Sequence, residues 1–167
     1  MEETQFDILD QPEHAIGIRY GGFWERFAAA FIDGIIVWIA MKIISLALFT
    51  TPQLDINESE NPGEIWSALG QFYLEMVPSM IVSLVINWLY FAYMESSENQ
   101  ATIGKMALNL KVTDLRGERI SFGRATGRFF SKYVSSFTLL IGYIMAAFTE
   151  RKQALHDMIA GTLVMKK

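Results

Sequence analysis

A chain of 167 residues that is 51% hydrophobic and 19% charged has the length of one domain but carries more apolar residues than an ordinary soluble domain of that size. It contains no cysteine and has a net charge of −4, which excludes disulfides and thiolate metal sites and argues against nucleic acid as a partner. The apolar residues are concentrated at 27–50, 76–94 and 129–148, and three such runs in so short a chain leave too little polar surface for a soluble helical bundle.

Residues 1–22 form an acidic tail with no basic stretch ahead of an apolar one and no small-residue cleavage pattern, so no cleavable signal is expected. Residues 25–49 are the first predicted transmembrane helix, long enough at about 1.5 Å per residue to cross a hydrocarbon core of roughly 30 Å. Residues 50–71 form an acidic loop with Asp55, Glu58, Glu60 and Glu64 and no lysine or arginine. Residues 72–94 are the second predicted span. Residues 95–128 then bring Lys105, Lys111, Arg116, Arg119, Arg124 and Arg128. Because basic loops stay inside, the first loop is expected outside, and the second loop and the N-terminus in the cytoplasm.

Within 95–128, ALNLKVT alternates as a strand, DLRGE reads as a turn and RIS can return as a second strand. A lone hairpin is marginal, and GTLVMK near the C-terminus is a β-prone piece that could join it. Ser121 is placed to cap a helix on which Arg124, Arg128 and Lys132 follow at four-residue spacing. That stripe is expected to rest on anionic lipid headgroups, the alternative being a solvated face.

The third segment, 129–149, poses a conflict. If it crossed, Arg151, Lys152, Lys166 and Lys167 in the tail 150–167 would lie outside. A broken or re-entrant segment resolves this, with Gly142 as a turning point and Ser135, Ser136 and Thr138 available to satisfy freed backbone groups. An ordinary third span is the alternative. The expected fold is therefore an all-α membrane protein with two transmembrane helices, a third broken or re-entrant segment and a small cytoplasmic β-hairpin that the C-terminal strand can join.

Charges inside the spans raise a second question. Arg26 and Asp33 are seven residues apart, which places them about 20° apart around the first helix and roughly 10.5 Å apart along it. Arg26 can snorkel to the cytoplasmic boundary, but Asp33 is too deep and too short. A carboxylate in hydrocarbon costs about 2.5–3.5 kcal/mol on insertion scales, so Asp33 should face protein or a wet cavity. Asn87 is expected at the depth of Asp33, and Glu75 near Lys42, where the two could form a structural ion pair or Lys42 could snorkel alone. Such an aspartate fits a proton- or cation-coupled site and equally an interhelix clamp.

The stretches GGFWERFAAAFIDGIIV, ATIGKMALNLKVTDLRGERISFGRATGRFF and RKQALHDMIAGTLVMKK together resemble the RDD family of small bacterial membrane proteins, over residues 21 to 166. The family is named for an arginine and two aspartates, which by these motifs fall on Arg26, Asp33 and Asp157; the usual TPGK reads Thr102-Ile103-Gly104-Lys105 here. The resemblance implies an inner-membrane location and suggests transport of unspecified ligands, with cation/proton antiport in some members. Asp157 could bridge to Arg26, or cap a short helix after His156.

Two functions remain open at this level. In one, Asp33, Arg26, Asp157 and Asn87 carry a monovalent cation, a proton or another small ligand, which in so small a chain requires a homo-oligomer; Ala28, Ala29, Ala30 and Gly34 offer a small-residue surface for one, or for packing within the subunit. In the other, the chain is a non-transporting scaffold or accessory subunit for a partner protein or lipid. No nucleophile elbow, phosphate loop or HExxH helix is present, and His14 and His156 lack companions at metal-ligand spacing, so neither an enzyme nor a metal or cofactor is expected.

Overall fold

A computed structural model describes residues 19–48, 61–137 and 141–167. The acidic tail with His14, most of the acidic loop including Asp55, Glu58 and Glu60, and Thr138 lie outside the described residues. Two helices are long and apolar enough to cross a membrane: α1, Phe23–Leu48, and α2, Pro62–Ser96. The second begins ten residues before its predicted start at 72, so residues 62–71 are helix and not loop. Three helices of the C-terminal part are α4, Phe122–Phe137, α5, Ile141–Phe148, and α6, Leu155–Ala160. The short α3, Ile103–Ala107, precedes strand β1, Leu110–Asp114, and strand β2, Thr162–Lys166, closes the fold.

The chain divides into two compact units, one of residues up to Gly34 and from Trp88 onward, the other of Ile35–Asn87. The described residues of the second unit are apolar helix with large exposed side chains, among them Trp38, Leu46, Trp66 and Leu74. Its polar side chains satisfy themselves: Ser79 donates to the Met76 carbonyl, Ser83 to Ser79 and Asn87 to Ser83, at 2.7–2.9 Å. Back-bonding of this kind lets a polar residue sit in an apolar helix without a partner from elsewhere. Lys42 and Glu75 are both exposed and no ion pair joins them among the described residues, so the expected pair does not form. Each has a chain long enough to carry its charge outward.

In the first unit the sheet forms with the C-terminal strand expected to join it, without the local hairpin. β1 pairs antiparallel with β2, Leu110 opposite Lys166 through Asp114 opposite Thr162. Arg19–Gly21 runs along the other edge of β2, with Lys166 N–H donating to the Arg19 carbonyl at 2.7 Å and Gly21 N–H to Val164 at 2.9 Å. The turn after β1 closes at Asp114, whose backbone N–H meets the Glu118 carbonyl and whose carboxylate takes the N–H groups of Arg116 and Glu118. The predicted return strand at Arg119–Ser121 then fails for want of free residues. The Arg119 side chain donates to the Ser96 carbonyl, Ile120 enters the core and Ser121 caps α4 through the Arg124 N–H at 3.2 Å. The core beside the sheet is small: Ala29, Ala92, Leu110, Val112, Ile120, Ala125 and Val164.

The third hydrophobic segment is broken, as its sequence predicts. α4 and α5 are bent by 102°. The break precedes Gly142, which instead lies inside α5, where a Cβ would stand 2.9 Å from the Ser135 backbone; its missing side chain lets α5 close onto α4. α4 is an inverted amphipathic helix. Arg128, Ser131 and Ser135 are buried while Phe130, Tyr133, Val134 and Phe137 are exposed. Gly161, in the left-handed conformation at φ 60°, ends α6 and turns the chain directly into β2.

Candidate functional site: two buried carboxylate centres

Asp33 lies on α1 and is 1% exposed. One carboxylate oxygen accepts the Tyr90 hydroxyl at 2.7 Å and the Gly104 N–H at 2.8 Å; the other accepts the Thr102 hydroxyl at 2.6 Å. Tyr90 belongs to α2, so the aspartate ties α1 to α2 and to the first turn of α3. The Tyr90 hydroxyl also accepts the Ile103 N–H at 3.2 Å. A carboxylate facing the free N–H groups that open a helix is favoured by their partial positive charge. Gly104 is required because a Cβ there would lie 2.1 Å from the Ala29 carbonyl oxygen. Ala29 is correspondingly small and fully buried, so at least this member of the alanine run packs within the subunit, whereas nothing lies within 4 Å of a Cβ at Gly34.

The second centre is ionic. Arg128 reaches two carboxylates: its Nη1 donates to both oxygens of Glu95 at 2.8 and 2.7 Å, and its Nε and Nη2 to one oxygen of Asp157 at 2.9 and 2.6 Å. The other Asp157 oxygen accepts from Arg26 Nη1 and from the Ala154 N–H at 3.1 Å. Arg26 also donates from Nε to the Gly21 carbonyl at 2.8 Å. Asp157 therefore bridges to Arg26, and because α6 starts at Leu155 and not after His156, it lies inside the first turn and reaches back to the Ala154 N–H instead of standing at the helix cap. Lys105 donates to Glu95, and Lys132 approaches the same carboxylate at 3.9 Å while its ammonium lies 4.1 Å from the centre of the Phe91 ring. Glu95, Arg128 and Asp157 are at most 2% exposed.

Burial alone would raise the Asp157 carboxyl, but the Arg128 and Arg26 guanidiniums outweigh it and hold the group well below the usual carboxylate range. Burial pushes His156 down to about 3, so the imidazole is neutral; its Nδ1 faces the Ser135 hydroxyl at 3.3 Å. A pH sensor near neutrality is not what this environment makes of it.

The sequence-predicted residues thus sort into two sets. Arg26 and Asp157 meet directly. Asp33 is held by uncharged donors; it shares α1 with Arg26 and is linked to the ionic centre through the start of α3, where Thr102 and Gly104 bind Asp33 while Lys105 reaches Glu95. Asn87 bonds within its own helix. Arg128, expected at lipid headgroups, is turned inward because two carboxylates compensate its burial, and Lys132 leans toward the same acid; Arg124 alone of that stripe is exposed, 3.5 Å from Asp114. Sequence reasoning missed Glu95, Tyr90 and the inward role of Arg128. Glu95 had a signal: it is the first charge after an uncharged run of nineteen residues, 76–94. Among the described residues no three acidic or histidine side chains are grouped to hold a metal.

Two helices fit to cross a membrane, a bent third pair and an arginine–aspartate bridge buried beside them define a small integral membrane protein. The RDD family model matches residues 20–161, and the chain belongs to that family. It is 39% identical over 149 residues to the uncharacterized protein YxaI of Bacillus subtilis, covering 87% of this chain and 97% of the relative. It is 31% identical over 172 residues to the uncharacterized membrane protein YteJ of the same organism, covering 98% and 93%. No solved structure matches. Of the three residues to which the resemblance carries the family's name, Asp33 and Asp157 are buried, one at each centre, and the partly buried Arg26 bridges to Asp157.

Proposed function

We propose that this chain is a non-transporting membrane module, in which buried carboxylates fasten a cytoplasmic cap to two membrane helices so that the cap can serve a partner protein or lipid. The observation that carries this reading is the coordination of Asp33. Three neutral donors at 2.6–2.8 Å occupy its two oxygens, one of them a backbone N–H that cannot move without moving α3. A coupling carboxylate must exchange these partners for a proton or an ion in each cycle, and each buried donor released unpaired costs about 1–3 kcal/mol.

The cap has one sidedness in this reading. β2 is hydrogen-bonded to β1 and to Arg19–Gly21, and Asp157 to Arg26 and Arg128, which supports a reading with the approach to α1, the basic loop and the tail on one side. The basic residues of that loop make it the cytoplasmic one. The bent α4–α5 pair then dips into the inner leaflet with its exposed phenylalanines and does not cross.

The test is flux. Purified protein reconstituted in liposomes is followed by internal pH after pulses of sodium, potassium or lithium, for the natural chain and an equally inserted Asp33→Asn variant. Silence from both, with a less stable variant, is the expected result. Proton movement against a cation that disappears in the variant would restore the transport reading, with Asp33 as its coupling group.

A further inference from the structure

A cavity among the described residues lies apart from the buried centres. It measures about 400 Å³ and is lined by Arg19, Tyr20, Gly22, Phe23, Trp24, Glu25 and Lys166. Its walls come from three parts of the chain: the edge segment before α1, the first turn of α1 and the end of β2. The segment is fixed there by the bond from Lys166 N–H to the Arg19 carbonyl and by the pairing of Tyr20 with Met165. The sheet therefore holds one wall of the cavity in place.

Its chemistry is cationic and aromatic. Lys166 pairs with Glu25 at 2.5 Å, and Glu25 also accepts the Gly22 N–H at 3.0 Å, so that acid is committed to holding the rim. Arg19 is exposed and faces no second acid among the lining residues, which leaves the cavity with one net positive charge. Trp24 is 76% exposed and stands edge-on to Phe23 and Phe27 at the start of a membrane-spanning helix. Exposed tryptophan in that position belongs at the lipid–water boundary. With α1 read as a span, that places the opening at the depth of phospholipid phosphates and the aromatic rings on the side where acyl chains begin.

We propose that this cavity binds the phosphodiester of an anionic phospholipid, Arg19 and Lys166 meeting the phosphate and Trp24 the glycerol and upper acyl region. The single surplus charge matches a headgroup carrying one negative charge and no amine, which favours phosphatidylglycerol over phosphatidylcholine. The site is separate from the two carboxylate centres and stands whether or not the chain moves ions. It replaces the headgroup role that the sequence suggested for Arg128, whose guanidinium faces inward.

The test uses the full chain in detergent, with bound lipid counted by native mass spectrometry after addition of phosphatidylglycerol, phosphatidylcholine or inorganic phosphate. The natural chain is expected to retain phosphatidylglycerol in preference to phosphatidylcholine and to take up no phosphate. Arg19→Gln should weaken retention about fivefold, the effect of one basic residue at an anionic surface. Arg116→Gln, which removes an exposed charge from the turn after β1, should leave it unchanged. Equal retention of the two lipids, equal loss in both variants, or phosphate binding that competes with the lipid away would each overturn the proposal.

Discussion

At the residue scale, a carboxylate deep in an apolar helix is sustained by donors that arrive from elsewhere in the chain. Asp33 is fed by Thr102 and Gly104 from the TIGK stretch and by Tyr90 from α2. Gly104→Ala is expected to destabilise the protein by about 1–3 kcal/mol, as overpacking does where backbone must move, because the added carbon would meet the Ala29 carbonyl oxygen. A thermal unfolding shift in detergent checks this. Arg128→Met should cost more, about 3–5 kcal/mol, since it removes the guanidinium shared by two buried carboxylates and leaves Glu95 to Lys105 and Asp157 to Arg26; a midpoint unchanged in denaturant would refute the bridging role. His156 gives a pH prediction. Its native pKa lies near 3, below the ordinary 6.5, so the unfolded chain binds a proton that the native one does not, and stability is present above 6.5 and is lost as pH falls toward 3. Asp157, held below its ordinary 3.8, adds a second loss beneath that value. His156→Gln should flatten the slope between about pH 6 and 4 in unfolding curves.

At the scale of elements, the helices were legible where one physical signal dominated and obscure where two competed. The apolar runs of α1 and α2 marked the spans, and the conflict between apolar length and basic tail marked the break in the third segment. The start of α2 was misread because residues 62–71, with Glu64 and Gly70, lack the apolar density by which a span is recognised. β1 and the C-terminal strand that joins it were legible, but the return strand was not: a local turn signal at Asp114 suggested a hairpin, whereas burial of Ile120 and capping by Ser121 consumed it. The basic stripe of α4 misled for a related reason. Spacing puts Arg124, Arg128 and Lys132 on one face but does not say whether that face meets lipid or two carboxylates. Arg26 and Asp157 as a pair were suggested by the family resemblance, while Glu95 and Tyr90 required the fold, because nothing local connects them to residues 30 to 60 positions away.

At the scale of the whole molecule, the proposed sidedness predicts the labelling of single cysteines, which the cysteine-free chain permits without prior substitution. Glu118→Cys and Glu150→Cys are expected to react with an impermeant maleimide from the same side of the membrane, and Gly63→Cys from the other. Glu150→Cys labelled together with Gly63→Cys would mean that the α4–α5 pair crosses. The larger claim is that the two centres, linked through α3, hold the cap to the membrane helices, and its most direct test is a double-mutant cycle of unfolding free energies across Asp33→Asn and Thr102→Val. The lock predicts a coupling of about 1–3 kcal/mol between them, the scale of a buried charged hydrogen bond. Additive effects, with either variant alone leaving stability untouched, would contradict it and return Asp33 to the role of a free carboxylate within the membrane.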